Sequence, residues 1–284
     1  MSVAQALVLG ILQGLTEFLP VSSTAHLYLA QLLLGIRNDE IALAFDVVLH
    51  LGTALALTVA LFPDVLAIAV EVVLWLARRP PRSPEARSLI LPLIVGTVPG
   101  VLAGLLLLKR VESIRTLALI AVSMLVASAY FLLSERAAGA RQGGGKTVAQ
   151  IRSPDGFWIG IAQAAAGLLA GFSRSGFTIA TGLLRGFRRD EAARFSFLLG
   201  LPIIAGAGAK ALLDLRHEHG PAISSAALAA GFVSAAVVGF LVVRFLLRFL
   251  KSHTLRPFAL YLALLGLVLL AVSIAHRLPL LAVR

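Results

Sequence analysis

Cysteine is absent from the 284-residue sequence, which excludes disulfide bonds, thiolate metal sites and cysteine nucleophiles. Charged residues are scarce, at 14% of the chain, where an average soluble domain has roughly 25%. Because 59% of the residues are hydrophobic and the mean hydropathy is +0.94, the chain lacks the polar side chains that would cover a soluble surface. The composition therefore excludes an ordinary soluble protein and predicts an integral membrane protein.

Acidic residues are outnumbered, with 14 Asp and Glu against 25 Lys and Arg and a formal net charge of +11. In a soluble protein this excess would suggest nucleic acid, but the sequence has no basic patch with interleaved aromatic residues. The basic residues instead cluster between apolar runs, as in the loops of membrane proteins. Sixteen fall on the side of the 78–87 loop and seven on the other side. This bias predicts that the 78–87 loop is cytoplasmic and that both termini face outward.

Six apolar runs approach the length of about 20 residues that a helix needs to cross a bilayer. They are Ile41–Phe62, Ser88–Leu108, Thr116–Leu133, Ala192–Leu213, Pro221–Val243 and Pro257–His276. A shorter run, Val65–Ala77, predicts an amphipathic or interfacial helix.

Two further apolar regions are interrupted. Val3–Gly35 is broken at Pro20 and the serines that follow it, and Gly156–Phe187 is broken by the segment 171–176. Because each half is too short to span a membrane, we expect each region to form a helix–break–helix hairpin that enters the membrane and returns. Irregular backbone is tolerated at membrane depth only inside protein or beside a wet cavity, so both breaks are candidate sites.

The two interrupted regions resemble each other. Gly10 and Gln13 lie 150 residues before Gly160 and Gln163, and Phe45 and Leu49 after the first hairpin lie opposite Phe195 and Leu199 after the second. Each half thus contains one hairpin and three spans, and an odd number of spans inverts the second copy. The sequence predicts an all-α integral membrane protein of six transmembrane helices plus two re-entrant helical hairpins arranged as an inverted repeat. The single membrane domain, 1–284, divides into repeat one (1–133), a cytoplasmic linker (134–155) and repeat two (156–284).

The first break combines polar groups that are rare inside a membrane, namely Gln13, Glu17, Ser22, Ser23 and His26. Pro20 suits the first turn of a new helix, which would place both serines at the N-terminus of the returning half-helix and His26 one turn further on. A hydroxyl beside an imidazole beside a carboxylate is the general arrangement of an activated nucleophile. The alternative is that the serines bond only backbone or a neighbouring helix, but an intramembrane carboxylate is costly to bury and usually functional.

The second break contains Ser173, Arg174 and Ser175, with Thr178 in the half-helix that follows. A charge at mid-membrane costs at least ~2.5 kcal/mol, so Arg174 needs an anionic partner. Hydroxyls and backbone N–H groups at a helix N-terminus form an anion site, and arginine adds two-pronged recognition of phosphate. The alternative is a structural ion pair of Arg174 with Glu17 or Asp46, and both interpretations can hold in the unliganded protein.

Other polar residues give weaker signals. Asp46 and His50 lie four residues apart, and either support the site from behind or make a polar contact between helices. The cluster of His217, Glu218 and His219 could suggest a metal, but its position in a short loop favours simple solvation. Glycines at four-residue spacing, Gly96, Gly100 and Gly104, predict close helix packing.

The two breaks resemble the motifs of the bacterial undecaprenyl-diphosphate phosphatase family, also called the bacitracin-resistance protein family. The motifs are Gln13-Gly-Leu-Thr-Glu17-Phe-Leu-Pro-Val-Ser22-Ser23-Thr-Ala-His26 and Gly171-Phe-Ser173-Arg174-Ser175-Gly-Phe-Thr178. The resemblance extends over nearly the whole chain, and one departure is Ala170, where the family commonly has proline.

The resemblance implies an enzyme that removes the terminal phosphate from a C55 polyprenyl diphosphate, yielding the monophosphate used in peptidoglycan synthesis and conferring bacitracin resistance. It implies a place in the bacterial inner membrane, with the active site open to the outer, periplasmic face. The catalytic residues carried over by motif are Glu17, Ser23, His26 and Arg174. The residues expected to bind the phosphates are Gln13, Ser22, Ser173, Arg174, Ser175 and Thr178, with Asp46 behind them.

In the expected mechanism His26 activates Ser23 or a water molecule, and Glu17 orients His26 or recruits Mg²⁺ or Ca²⁺. No organic cofactor is expected. The expected partners are the polyprenyl diphosphate and the lipid bilayer, with a homodimer left open and no nucleic acid. The rival function is a flippase or secondary transporter of an anionic lipid, because inverted repeats and broken helices are transporter features. A carrier, however, needs anion-binding groups but no nucleophile and base.

Overall fold

The computed structural model describes residues 1–36, 40–112, 116–140, 144–168, 171–215 and 223–281. The expectations for Ala170 and for the loop of His217, Glu218 and His219 therefore lie outside the described residues. The described residues form α1 (Val3–Phe18), α2 (Ser23–Leu33), α3 (Glu40–Ala60), α4 (Phe62–Leu76), α5 (Pro84–Glu112), α6 (Leu117–Gly139), α7 (Ser153–Leu168), α8 (Arg174–Leu184), α9 (Arg189–Leu215), α10 (Ser225–Phe249) and α11 (Arg256–Leu281). A short 3-10 helix, Val148–Gln150, precedes α7.

Each of the six predicted spans coincides with a long helix: α3, α5, α6, α9, α10 and α11. Within the described residues, five helices are long and apolar enough to cross a membrane, and α3 with α4 makes a sixth if that bent pair counts as one span. The run predicted as interfacial forms α4, which turns 83° away from α3. The protein is therefore an all-α integral membrane protein, as the sequence predicts.

Both predicted helix breaks are present. The α1 helix ends at Phe18 and α2 packs back on it from Ser23, while α7 ends at Leu168 and α8 packs back on it from Arg174. One detail differs from the expectation: Pro20 lies in the turn itself, and the new helix begins three residues later.

The α6 helix continues to Gly139, past residue 134, where the sequence predicts that the linker begins. The reason is Glu135, which is buried and accepts hydrogen bonds from the guanidinium of Arg189 and the backbone N–H of Leu255. A buried carboxylate with these partners holds the last turns of α6 against two other helices.

Small residues let the broken helices lie very close to their neighbours. The α1 helix packs on α10 and α7 packs on α5, while α3 packs on α9 and α6 on α11. A Cβ atom added to Gly160 of α7 would lie 2.2 Å from the carbonyl oxygen of Gly96, and one added to Gly10 of α1 would lie 2.5 Å from that of Gly231 in α10. Close backbone approach of this kind is how helices associate without a hydrophobic driving force between them.

The predicted packing role of the α5 glycines is confirmed for two of the three. Cβ atoms at Gly96 and Gly100 would clash with α7 and with Ile203 respectively, whereas a Cβ at Gly104 would meet no atom within 4 Å. The prediction is wrong for Gly104, which is exposed.

The residues that repeat between the two halves occupy the centre of the protein. Phe45, Leu49, Phe195 and Leu199 are all fully buried. The outer surface, in contrast, exposes large apolar side chains along α1, α5, α10 and α11. In a membrane protein such a surface faces lipid tails, so the bundle is apolar outside as well as inside.

The α5–α7 crossing predicts a paired outcome for two glycine substitutions. Gly160→Ala should lower the melting temperature in detergent, because overpacking a close contact costs about 1–3 kcal/mol. Gly104→Ala, the control in open space, should leave the melting temperature unchanged or raise it, because alanine favours a helix over glycine by ~1 kcal/mol. Equal effects of the two substitutions would contradict the packing role.

Candidate active site

The end of α1 presents a buried amide and a buried carboxylate toward the first break. Gln13 and Glu17 lie one turn apart on the same face, and both are buried. The Gln13 amide Nε2 donates to Glu17 Oε2 at 3.1 Å. The α1 helix thus supplies an oriented carboxylate, because its neighbour on the same helix holds one of the two oxygens.

The turn between α1 and α2 is strained at Ser22. This residue has φ +72° and ψ 90°, outside the conformations that side-chain-bearing residues prefer. Its hydroxyl is buried and has no hydrogen-bond partner among the described residues, and it does not cap α2. Strained backbone with an unpaired polar group is typical of functional sites.

Ser23, the first residue of α2, points its hydroxyl at the carboxylate. Its Oγ donates to Glu17 Oε2 at 2.7 Å. The sequence predicted a serine, a histidine and a carboxylate in series, but the structure places the carboxylate directly on the serine. A carboxylate that accepts a hydroxyl proton is positioned to act as its base.

In this structure the His26 ring contacts groups other than those that the sequence predicted. Its Nδ1 lies 2.8 Å from the carbonyl oxygen of Ser22, and its Nε2 lies 2.6 Å from the hydroxyl of Tyr261 in α11. Both ring nitrogens are therefore hydrogen-bonded to groups other than Ser23 and Glu17. The contacts differ from the expected ones because a spacing of three residues puts two side chains on one helix face but does not decide which way the ring turns.

The second break is shaped by a glycine and capped by a serine. Gly171 has φ +100°, and a Cβ there would lie 2.5 Å from the carbonyl oxygen of Ile120, so glycine is required. Ser173 caps α8 by accepting from the backbone N–H of Gly176, and its Oγ lies 3.2 Å from that of Ser175. Two buried hydroxyls thus lie at the positive end of α8.

Thr178 lies one turn further into α8 and is engaged there. Its hydroxyl contacts Ser196 of α9 and the carbonyl oxygens of Arg174 and Ser175. The side chain is buried. In this state Thr178 joins α8 to α9 rather than presenting a free hydroxyl at the break.

Arg174 joins the two breaks. One guanidinium nitrogen, Nη2, forms an ion pair with Glu17 Oε1, and the other, Nη1, donates to the carbonyl oxygen of Gly200 at 3.3 Å. Ser175 makes a second link, from its Oγ to the carbonyl oxygen of Leu19 at 3.4 Å. Of the two partners that the sequence left open for an ion pair with Arg174, Glu17 and Asp46, the structure shows Glu17, and the two hairpin tips meet.

Two further residues contact the site, one whose role the sequence left open and one that it did not single out. His50 of α3 lies with its Nε2 3.7 Å from Glu17 Oε2, and its Nδ1 is held by the carbonyl oxygen of Asp46 at 2.7 Å. Gly200 leaves room for the guanidinium, because a Cβ there would lie 2.9 Å from Arg174 Nη1. For His50 the signal in the sequence was its four-residue spacing from Asp46. For Gly200 the sequence gives no signal, because a glycine in an apolar helix does not by itself indicate a site.

Asp46 itself lies behind the site. Its carboxylate accepts a hydrogen bond from the amide of Gln31 in α2 at 2.8 Å, while its backbone carbonyl orients His50. Asp46 therefore supports the site in two ways: its backbone carbonyl orients His50, and its carboxylate holds α2 through Gln31.

The side chains at the hairpin tips do not fit a divalent cation held by protein alone. Among the described residues of the tips, Glu17 is the one carboxylate, and its oxygens already face Arg174, Gln13 and Ser23. In the described part of the chain no group of three His, Asp or Glu side chains is placed to hold a metal ion. Mg²⁺ and Ca²⁺ prefer several oxygen ligands, so no step below is assigned to a cation.

The tips together place cationic groups and hydrogen-bond donors beside an oriented hydroxyl. The N-termini of α2 and α8 and the guanidinium of Arg174 supply positive charge, and the serine hydroxyls supply donors. Glu17 supplies a carboxylate in contact with Ser23. Anion binding with a paired hydroxyl and carboxylate is suited to phosphoryl transfer, which needs mainly positioning and charge neutralisation.

Comparison with known proteins agrees with this chemistry. The family model described as bacitracin resistance protein BacA matches residues 6–268. The undecaprenyl-diphosphatase of Rubrobacter xylanophilus is 42% identical over 258 residues, covering 90% of this chain and 93% of that protein. Those of Pelobacter propionicus and Thermomicrobium roseum are each 41% identical, over 94% and 96% of this chain and 95% and 98% of theirs.

The ion pair between the tips predicts a non-additive effect on stability. Glu17→Gln and Arg174→Gln should each lower the melting temperature, because each leaves the opposite charge unpaired. The loss of unfolding free energy should lie at the low end of about 3–5 kcal/mol, the cost of breaking a buried pair, because a fifth of the Arg174 side chain is exposed.

The double variant should be no less stable than either single variant. Arg244→Gln, at an exposed position on α10, is the control and should change little. Losses that simply add in the double variant would show that the two charges do not depend on each other.

Proposed function

The chain belongs to the bacitracin resistance protein BacA family, and we propose that it hydrolyses undecaprenyl diphosphate to undecaprenyl phosphate and inorganic phosphate. The observation that carries this assignment is the hydrogen bond from Ser23 to Glu17 beside Arg174, at the meeting point of two helix N-termini. The monophosphate product is the lipid carrier of peptidoglycan synthesis, and its recycling accounts for bacitracin resistance.

The diphosphate is placed between the hairpin tips. Arg174 turns part of its guanidinium from Glu17 to the phosphate oxygens, since a guanidinium has five N–H donors in a planar fork. Ser173 and Ser175 donate from the α8 tip, and the unpaired hydroxyl of Ser22 donates from the other side. The prenyl chain extends from this point into the lipid.

In the first chemical step Ser23 Oγ attacks the terminal phosphorus. The new P–Oγ bond forms as the bond from that phosphorus to the bridging oxygen breaks, and undecaprenyl phosphate leaves with the electron pair. The hydroxyl proton passes to Glu17 Oε2, which already accepts it in a hydrogen bond of 2.7 Å. Arg174 neutralises charge on the transferred group.

In the second step a water oxygen attacks the phosphoserine and the P–Oγ bond breaks. Ser23 takes back the proton held by Glu17, and Glu17 accepts one from the water. Hydrogen phosphate leaves and the proton on Glu17 is released to solvent, so the overall reaction consumes one water and yields one proton. The alternatives are attack by Ser22 or direct attack by water from the place that Ser23 Oγ occupies.

The remaining site residues support these groups. Gln13 holds Glu17, and His26 holds the turn that carries Ser22. Thr178 fixes the first turn of α8 to α9 through Ser196, which keeps Arg174 at the tip. A divalent cation and a homodimer, both considered from the sequence, stay predictions.

The membrane arrangement is part of the proposal. Six spans and two re-entrant hairpins form an inverted repeat in the bacterial inner membrane, with the first hairpin entering from the periplasmic face and the second from the cytoplasm. Two packing relations support it: α1 crosses α10 as α7 crosses α5, and α6 pairs with α11. The excess of basic residues on the 78–87 side supports the orientation.

The rival function, a carrier for an anionic lipid, would need the anion site and the repeat but not the activated hydroxyl. Ser23 in contact with a buried carboxylate favours the hydrolase, and so do the names of the relatives. The direct test is release of phosphate from undecaprenyl diphosphate by the purified protein. A protein that moves the lipid across a vesicle membrane without releasing phosphate would support the carrier.

Ser23→Ala should lower kcat by orders of magnitude while substrate still binds, because it removes the nucleophile but not the anion site. Thr24→Ala, which removes the next hydroxyl along α2, is the control and should keep near-normal kcat. Rapid quench with substrate labelled in its terminal phosphate should trap a phosphoserine in the wild type. Retention of more than about a tenth of wild-type kcat by Ser23→Ala would transfer the role to Ser22 or to water.

The orientation can be tested on α10, whose two ends should lie on opposite sides of the membrane. Ser225→Cys and Ser252→Cys are near-isosteric changes at exposed positions of a cysteine-free chain. In intact cells an impermeant thiol reagent should label the cysteine at 225 and spare the one at 252. The reverse pattern would refute the proposed orientation.

A further inference from the structure

Tyr261 of α11 is joined to the first hairpin by two contacts. Its hydroxyl lies 2.6 Å from His26 Nε2, and the two rings stack with centroids 5.7 Å apart and an interplanar angle of 16°. Tyr261 is 235 residues away from His26 in the sequence, so the contact joins the two halves of the chain. Nothing in the proposed chemistry uses this tyrosine.

The hydrogen-bond donors and acceptors around His26 fix the direction of each bond. The carbonyl oxygen of Ser22 can only accept, so His26 Nδ1 carries a proton and donates to it. In the neutral ring Nε2 is then an acceptor, and it receives the hydroxyl proton of Tyr261. A continuous relay of hydrogen bonds thus runs from Tyr261 through His26 to the backbone of Ser22.

That backbone is the strained part of the site. Ser22 has φ +72°, and its carbonyl oxygen accepts from both the ring and the backbone N–H of His26. A residue in such a conformation persists only where its surroundings over-determine it. The next residue is Ser23, so the conformation of Ser22 decides whether the Ser23 hydroxyl reaches Glu17.

The rest of α2 provides few other restraints. Only three of its eleven residues are buried, Ala25, Leu27 and Gln31, and its main packing partner is α1. The equivalent half-helix α8 buries nine of eleven residues and packs on α6, α7 and α9. The half-helix that carries the nucleophile is therefore the less tightly packed of the two, and a side-chain contact from α11 has correspondingly more influence on it.

We propose that Tyr261 is a positioning residue for the phosphatase reaction, which holds His26 and, through it, the Ser22 turn that presents Ser23 to Glu17. This inference rests on the proposed function. Tyr261 does not touch the reacting groups, and 43% of its surface is exposed. Its hydroxyl can therefore be removed without opening a cavity in the core.

Tyr261→Phe keeps the ring and removes only the donor. It should lower kcat roughly five- to tenfold, the effect of one neutral hydrogen bond, and should leave KM within about twofold because the anion site is intact. Tyr130→Phe is the matched control: its hydroxyl bonds Thr181 of α8 at 2.7 Å, two turns from Arg174. This control should keep near-normal kcat.

A thiol at the hairpin tip gives a measurement that does not depend on activity. In the Thr24→Cys protein, thiol labelling should be faster after Tyr261→Phe or after His26→Ala, because either change loosens the turn. Adding Tyr261→Phe to His26→Ala should raise the rate no further, since the tyrosine acts through the histidine. A tyrosine that only contacts lipid or packs against α2 would give additive effects.

The results separate the two proposals. Unchanged kcat in Tyr261→Phe, an equal loss in Tyr130→Phe, or additive labelling effects would each overturn the positioning role while wild-type phosphate release stood. A wild-type protein that releases no phosphate, with the non-additive labelling pattern intact, would overturn the function and leave the link from Tyr261 to Ser22 in place.

Discussion

The ion pair between Glu17 and Arg174 is the constraint on which the rest of the site depends. A lone charge near the middle of a bilayer is costly, so each of these residues requires the other when no substrate is bound. They lie on different hairpins, 157 residues apart, and their pairing brings two helix N-termini to the same place. Under the proposed function this arrangement is prepared for a second anion, because a guanidinium that faces one carboxylate can also face a phosphate.

The close helix crossings make this meeting geometrically possible. Neither α1 nor α7 is long enough to span a membrane, so their ends lie inside the protein and must be surrounded by it. Glycines at the α1–α10 and α5–α7 crossings let the backbones approach to a distance that any side chain would prevent. The two half-length helices are thereby held firmly, while α2, which no glycine crossing holds, depends on a few polar contacts.

Composition and run length predicted the all-helical membrane fold, the long helices and both breaks, because these follow from what a bilayer excludes. That Arg174 would pair with an acidic residue was also predictable, since few anionic partners were within the apolar regions, but the sequence left both Glu17 and Asp46 open. The direction of the His26 ring was not predictable, because helical spacing fixes the helix face of a residue and not its side-chain rotamer. The roles of Gly200 and Tyr261 could not be predicted for a different reason. They depend on which distant helices are in contact, and a single sequence does not give those contacts.

The two hairpins share a sequence pattern, but the first supplies a carboxylate and the second a guanidinium. Gln13 and Gln163 correspond, yet the position one turn later is Glu17 in the first hairpin and Gly167 in the second. Gln13 therefore has a carboxylate to hold, whereas both amide atoms of Gln163 are buried without a partner among the described residues. In the proposed mechanism the first hairpin supplies the base and the nucleophile, and the second supplies Arg174 and a capped helix end. Under the proposed inverted repeat, two equivalent carboxylates at the tips would have repelled each other and the diphosphate. Under the same proposal, a carboxylate in one hairpin and a cation in the other allow the two hairpins to form a single anion site.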